Sequence, residues 1–128
     1  MRKLARAMTG LVAAMAIGTS ACAAVPPQMD DAGLRAYASK PWDKATLMNS
    51  TVELGRYHDV PVVAEFPCSD VCPQYTVRII HYRLPPDASC ASVGGVEERV
   101  LVPVAIAVVP KMFCIPQPLV ESGQYFAR

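Results

Sequence analysis

Pro67-Cys68-Ser69-Asp70-Val71-Cys72-Pro73-Gln74-Tyr75-Thr76-Val77-Arg78-Ile79-Ile80-His81-Tyr82 is the stretch on which the fold turns. Its first half is turn chemistry, with two prolines enclosing a Cys-x-x-x-Cys. Its second half is β-branched and aromatic, the composition of a strand. Residues 74–84 read as that strand, with Tyr75, Val77 and Ile79 on one face and Ile80, Tyr82 and Leu84 on the other. A β-bulge at Ile79-Ile80 would bring all six to one side; the alternative is burial on both faces. His81 points away from Ile80 and Tyr82 and reads as a surface or hydrogen-bonded imidazole.

On the N-terminal side, residues 60–66 alternate, with Val60, Val62, Ala64 and Phe66 on one face, and Pro61 near the start where a missing donor does least harm. Residues 30–40 read as a helix. Asp30 or Asp31 caps it, Leu34, Tyr37 and Ala38 make a narrow apolar stripe, and Pro41 stops it. Trp42 reads as a core anchor, and residues 52–54 as a short strand. On the C-terminal side, residues 85–95 form a loop containing Cys90. Residues 97–109 give the longest strand signal, apolar on both faces and hence read as a central strand covered twice. Pro103 within it predicts a bulge, a break or an edge position. Residues 110–118 read as a turn carrying Cys114, and a last strand is expected around Tyr125-Phe126. These elements predict a small, disulfide-stapled α+β domain, with an antiparallel sheet of three to four strands and one N-terminal helix; a small antiparallel sandwich is the alternative.

The first residues carry targeting chemistry. Arg2, Lys3 and Arg6 precede a short apolar run over residues 8–17, below the ~20 residues that span a bilayer. The expected organisation is a signal peptide at 1–21, a tether with Pro26-Pro27 at 22–29, and one domain at 30–128. Loss of the leader's three cations takes the formal net charge from +1 to about −2. No basic run remains for nucleic acid, so no nucleic-acid partner is expected.

Thr19-Ser20-Ala21-Cys22 resembles a bacterial lipobox, with Thr19 where an aliphatic residue is usual. The resemblance implies that Cys22 carries the lipid, palmitate included, that anchors the chain on the periplasmic side of the cell envelope. Cleavage at a small-x-small site, releasing the protein to the periplasm, is the alternative. Five cysteines leave one over after pairing, and lipidation gives Cys22 a use. Cys68, Cys72, Cys90 and Cys114 form an even set, which in an oxidising compartment reads as two disulfides. Of three connectivities, Cys68–Cys72 with Cys90–Cys114 is favoured; spacing alone leaves the others open.

Two further resemblances attach to the opening stretch. Pro67-Cys68-Ser69-Asp70-Val71-Cys72-Pro73-Gln74-Tyr75 is similar to the Pro-Cys-x-x-x-Cys-Pro-x-Tyr signature of a small domain of unknown function in bacterial exported proteins and lipoproteins. That resemblance implies a strand after the cysteines and an envelope location, and supplies no activity; besides the membrane, an unidentified envelope protein is the partner left open. Cys68-Ser69-Asp70-Val71-Cys72-Pro73 also resembles the motif of Sco-type copper chaperones, in which a helix follows the motif; here a strand is expected. It implies the rival function, a periplasmic copper- or thiol-handling protein with Cys68, Cys72 and His81 as ligands. Otherwise no metal or cofactor is expected.

Catalytic signatures are missing from the sequence: it has no Gly-x-Ser-x-Gly, no His-Glu-x-x-His and no phosphate-binding glycine loop. His58-Asp59 are neighbours that point to opposite sides of an extended chain, and Glu97-Glu98 reads as a solvated strand start. The expectation is a non-catalytic structural or binding role, and no catalytic residue is assigned.

Overall fold

The computed structural model of the chain describes residues 27–43, 46–68, 76–104 and 107–128. The expected signal peptide, Cys22 and Cys72 lie outside the described residues. Helix α1 spans Asp31–Ser39; the side chain of Asp30 accepts from the Gly33 amide at 2.8 Å and Lys40 closes the last turn through Tyr37 O. Leu34 and Ala38 are its buried stripe.

Strands β1 (Ser50–Tyr57), β2 (Val60–Phe66), β3 (Arg78–Tyr82) and β6 (Phe126–Ala127) form one antiparallel sheet in the order β1-β2-β3-β6. Strand β1 is longer than the three residues expected. A register shift between Glu53 and Gly55 leaves Leu54 as an extra residue, a β-bulge. His58 and Asp59 are not extended. They have φ of 51° and 65° and close the β1–β2 hairpin as a two-residue turn of the type I′ kind. Gln28 bridges in parallel to Arg56, laying residues 27–29 along the outer edge of β1.

The register of β2 with β3 runs without a shift from Val62↔Tyr82 to Glu65↔Ile79, so the described strand has no bulge at Ile79-Ile80 and is buried on both faces. The reason is a layer on each side. Tyr57 hydroxyl donates to Asp31 and Arg78 reaches Ala38 O, tying one face to α1. On the other face, the His81 ring meets Phe113 and Lys111 meets Glu65.

That second layer corrects two expectations. Residues 97–109 are not one central strand. They divide into β4 (Gly95–Val104) and β5 (Ala107–Pro116), a two-stranded hairpin paired in continuous register from Gly95↔Pro116 to Val104↔Ala107. Residues 110–116 therefore belong to a strand rather than a turn. Pro103 causes neither bulge nor break and takes the third expected place, an edge position, because both strands of a two-stranded sheet are edges. Pro103, Pro110 and Pro116 stand in the pairs Pro103↔Val108, Leu101↔Pro110 and Gly95↔Pro116, all of the same parity. That is the parity in which N–H groups point out from the ladder, so no proline removes a rung. Beyond β5 a short helix, α2 (Gln117–Ser122), begins on prolines and ends at Gly123, which has φ of 73°. The result is a mixed α+β fold with antiparallel sheets of four and two strands, stapled by a Cys90–Cys114 disulfide.

Candidate functional site

The cysteines come first. Cys90 and Cys114 are bonded, with Cα atoms 5.5 Å apart and a sequence separation of 24. The bond joins the loop before β4 to β5, at the base of the hairpin. Gly95 sits directly against it: a Cβ there would lie 2.4 Å from Cys114 Sγ and 2.9 Å from Cys90 Sγ. Cys68, two residues past the end of β2, is buried and also disulfide-bonded. The expected Cys68–Cys72 pairing involves Cys72, which lies outside the described residues.

His81 is brought to a polar cluster that sequence reasoning did not assemble. Its Nε2 lies 2.8 Å from Glu65 Oε1 and its Nδ1 2.9 Å from Tyr82 O, while Lys111 Nζ lies 3.7 Å from Glu65 Oε2. The pairing Glu65↔Ile79 and Val63↔His81 places Glu65 and His81 diagonally across β2 and β3 on one face, where long side chains meet. Both neighbours of the imidazole are acceptors, so both contacts are satisfied when each nitrogen carries a proton. The hydrogen bond from His81 holds the Glu65 carboxyl below its ordinary value against the opposing effect of burial, with Lys111 adding to the lowering. The Phe113 ring, 4.8 Å from the imidazole centre to centre, covers the cluster.

The copper alternative needs Cys68 as a thiolate and His81 with a free ring nitrogen. Here the Cys68 sulfur is bonded to another sulfur and both His81 nitrogens face acceptors, so these two residues as they stand do not fit such a site. His58 stacks on Tyr57 at 4.1 Å in the hairpin turn. Glu97 is exposed, and Glu98 accepts from the Tyr125 hydroxyl at 3.2 Å.

Arg78 is a second polar centre that the sequence did not single out. It is 3 % exposed, and it donates from Nη1 to Ala38 O at 2.7 Å and from Nη2 to Gln124 O at 2.6 Å. It thereby caps the carbonyl end of α1 and ties it to the turn after α2. Burial pulls the guanidinium below its ordinary value. A cavity of about 220 Å³ beside it is lined by Lys40, Pro41, Trp42 and Ala127. Trp42 is half-buried and packs on Phe66 with ring centres 5.7 Å apart. Its indole donates to Tyr37 O at 3.3 Å, and Lys40 Nζ sits 4.5 Å over its ring. Tyr57 and Tyr82 are both pushed up to about 12 by burial, Tyr57 also by its bond to Asp31.

The chain matches no protein-family model, no curated protein and no solved structure.

Proposed function

We propose that the chain is an exported bacterial lipoprotein of the cell envelope, with a non-catalytic structural or binding role, tethered through a lipid on Cys22. The observation that carries the reading is the sulfur chemistry. Cys90 and Cys114 are joined, and Cys68 is in a disulfide as well, which is the state of structural cysteines in an oxidising compartment. Five cysteines cannot all pair with one another, and Cys22 stands in the lipobox-like Thr19-Ser20-Ala21-Cys22. The likeness of residues 67–75 to the exported-domain signature supports the same location. A non-catalytic role is supported by the way the Glu65–His81 cluster is spent: both imidazole nitrogens face the fold's own acceptors, so the cluster clamps β2 to β3.

Metabolic labelling with radioactive palmitate in a bacterial host tests the anchor. Label on the wild-type chain that disappears in Cys22→Ser is the expected result. An unlabelled wild-type chain refutes the lipid anchor, and an uncleaved chain with reduced thiols in the cytosol refutes export altogether.

A further inference from the structure

Among the described residues, every large apolar side chain that stands exposed lies on the β4–β5 hairpin: Leu101, Val104, Val108, Val109 and Met112, at 38–63 % exposure. On the face turned to the core, burial gives way toward the tip. Val100 and Val102 are covered, whereas Val104 is 45 % exposed. The hairpin therefore runs past the core and presents apolar side chains on both faces. No charged residue stands between Arg99 and Lys111 in the sequence. Those two cations take opposite faces, because Arg99 pairs with Met112 and Lys111 with Val100, and both are exposed. The acidic side chains lie further from the tip: Glu97 and Glu98 on β4, and Glu65 against Lys111.

We propose that this hairpin is a membrane-contacting wedge. Leu101, Val104, Val108 and Val109 seat in the interface of an anionic lipid surface, and Arg99 and Lys111 lie at headgroup level. An apolar end followed by a cationic collar and then by carboxylates is the order in which a lipid interface accepts these groups. The prolines discriminate against the rival occupant, a second copy adding its strand to a hairpin edge. Such pairing needs outward-pointing N–H donors, and Pro103 and Pro110 occupy outward-pointing positions without having any. The same two absences leave fewer donors to strip of water when the edge meets an apolar medium. The wedge rests on the envelope reading for its biological setting and adds a second lipid contact to the one expected at Cys22.

The test uses the chain from residue 22 onward carrying Cys22→Ser, so that neither the cationic, apolar leader nor an attached lipid contributes. Val108→Trp places a reporter on the wedge, and Asp87→Trp places one in the exposed loop before Cys90, at the base end of the hairpin. The chain without an added indole supplies the Trp42 background. With vesicles of phosphatidylglycerol and phosphatidylcholine bearing brominated acyl chains, the Val108→Trp emission should shift to the blue and be quenched, and the Asp87→Trp emission should not. Arg99→Glu with Lys111→Glu should abolish the quenching. Equal quenching at the two reporters overturns the proposal. So does a blue shift that grows with protein concentration in the absence of vesicles, which assigns the face to a second copy. Leu101→Trp replaces Val108→Trp if near-ultraviolet circular dichroism shows that the latter is misfolded. Since these chains lack Cys22, failure here leaves the anchor reading intact, and failure of palmitate labelling leaves the wedge intact.

Discussion

Replacing Gly95 by alanine adds one methyl group at the most crowded point beside the hairpin staple. The new Cβ would stand 2.4 Å from Cys114 Sγ, 2.9 Å from Cys90 Sγ and 3.1 Å from Tyr82 Cε2. None of these is the free end of a flexible side chain. The sulfurs are bonded to each other, and Tyr82 is 3 % exposed. Strand β4 must therefore move, and overpacking of this kind costs about 1–3 kcal/mol. For a domain of about 100 residues, a loss of about 2 kcal/mol lowers Tm by roughly 10 °C. The cost is specific to the sulfurs, so the informative comparison is a double-mutant cycle. Cys90→Ala with Cys114→Ala loses the closure of a loop of about 25 residues, worth roughly 3.5 kcal/mol in the chain-entropy model, and opens space next to position 95. In that background Gly95→Ala should cost less than about 0.5 kcal/mol, or stabilise by filling the gap. Urea or thermal unfolding of the four proteins, followed by circular dichroism, gives the coupling. An equal loss from Gly95→Ala in both backgrounds would refute the packing argument.

Three further expectations can be measured on the same protein. Arg78→Ala leaves Ala38 O and Gln124 O without their donor and opens a void under α1; a loss of about 3 kcal/mol in unfolding free energy is expected, and a change under about 1 kcal/mol would show that water replaces the guanidinium. Gly55→Ala sets a Cβ 2.7 Å from Pro27 O at a φ of +155°, so residues 27–29 should come away from β1, seen as faster hydrogen exchange at the Met29 and Arg56 amides with the β2–β3 amides unchanged. Because the Glu65 carboxyl is lowered on folding, its stabilisation is complete above the unfolded-state value of ~4.3 and is lost as pH falls through the lower folded value; Glu65→Gln should flatten that acid limb of the stability curve, and an unchanged limb would sink the His81–Glu65 clamp.

Short-range chemistry made part of this fold legible in advance. Asp30 and Pro41 bracket α1 because capping and the missing proline donor act within one turn. The alternation over residues 60–66 marks β2, and the even cysteine set foretold the Cys90–Cys114 staple as a favoured pairing. Other features were written locally and passed unread. His58-Asp59 is a two-residue hairpin turn without the usual Asn-Gly or Asp-Gly, and α2 opens on Pro116-Gln117-Pro118 and closes before Gly123.

What the residues alone could not decide is how the longest apolar run divides. From Val100 to Pro110 the period is the same on both sides of the turn and no glycine, asparagine or aspartate marks the reversal, so one covered strand and two exposed ones have the same pattern. Which arrangement forms depends on where the rest of the chain supplies a surface. The four-stranded sheet offers one beneath Phe113 and Ile115, and none beyond Val102. The meeting of Glu65 with His81, and of Arg78 with the end of α1, is likewise a product of register and layer packing across 16 and 40 positions of sequence, a separation at which no local preference operates.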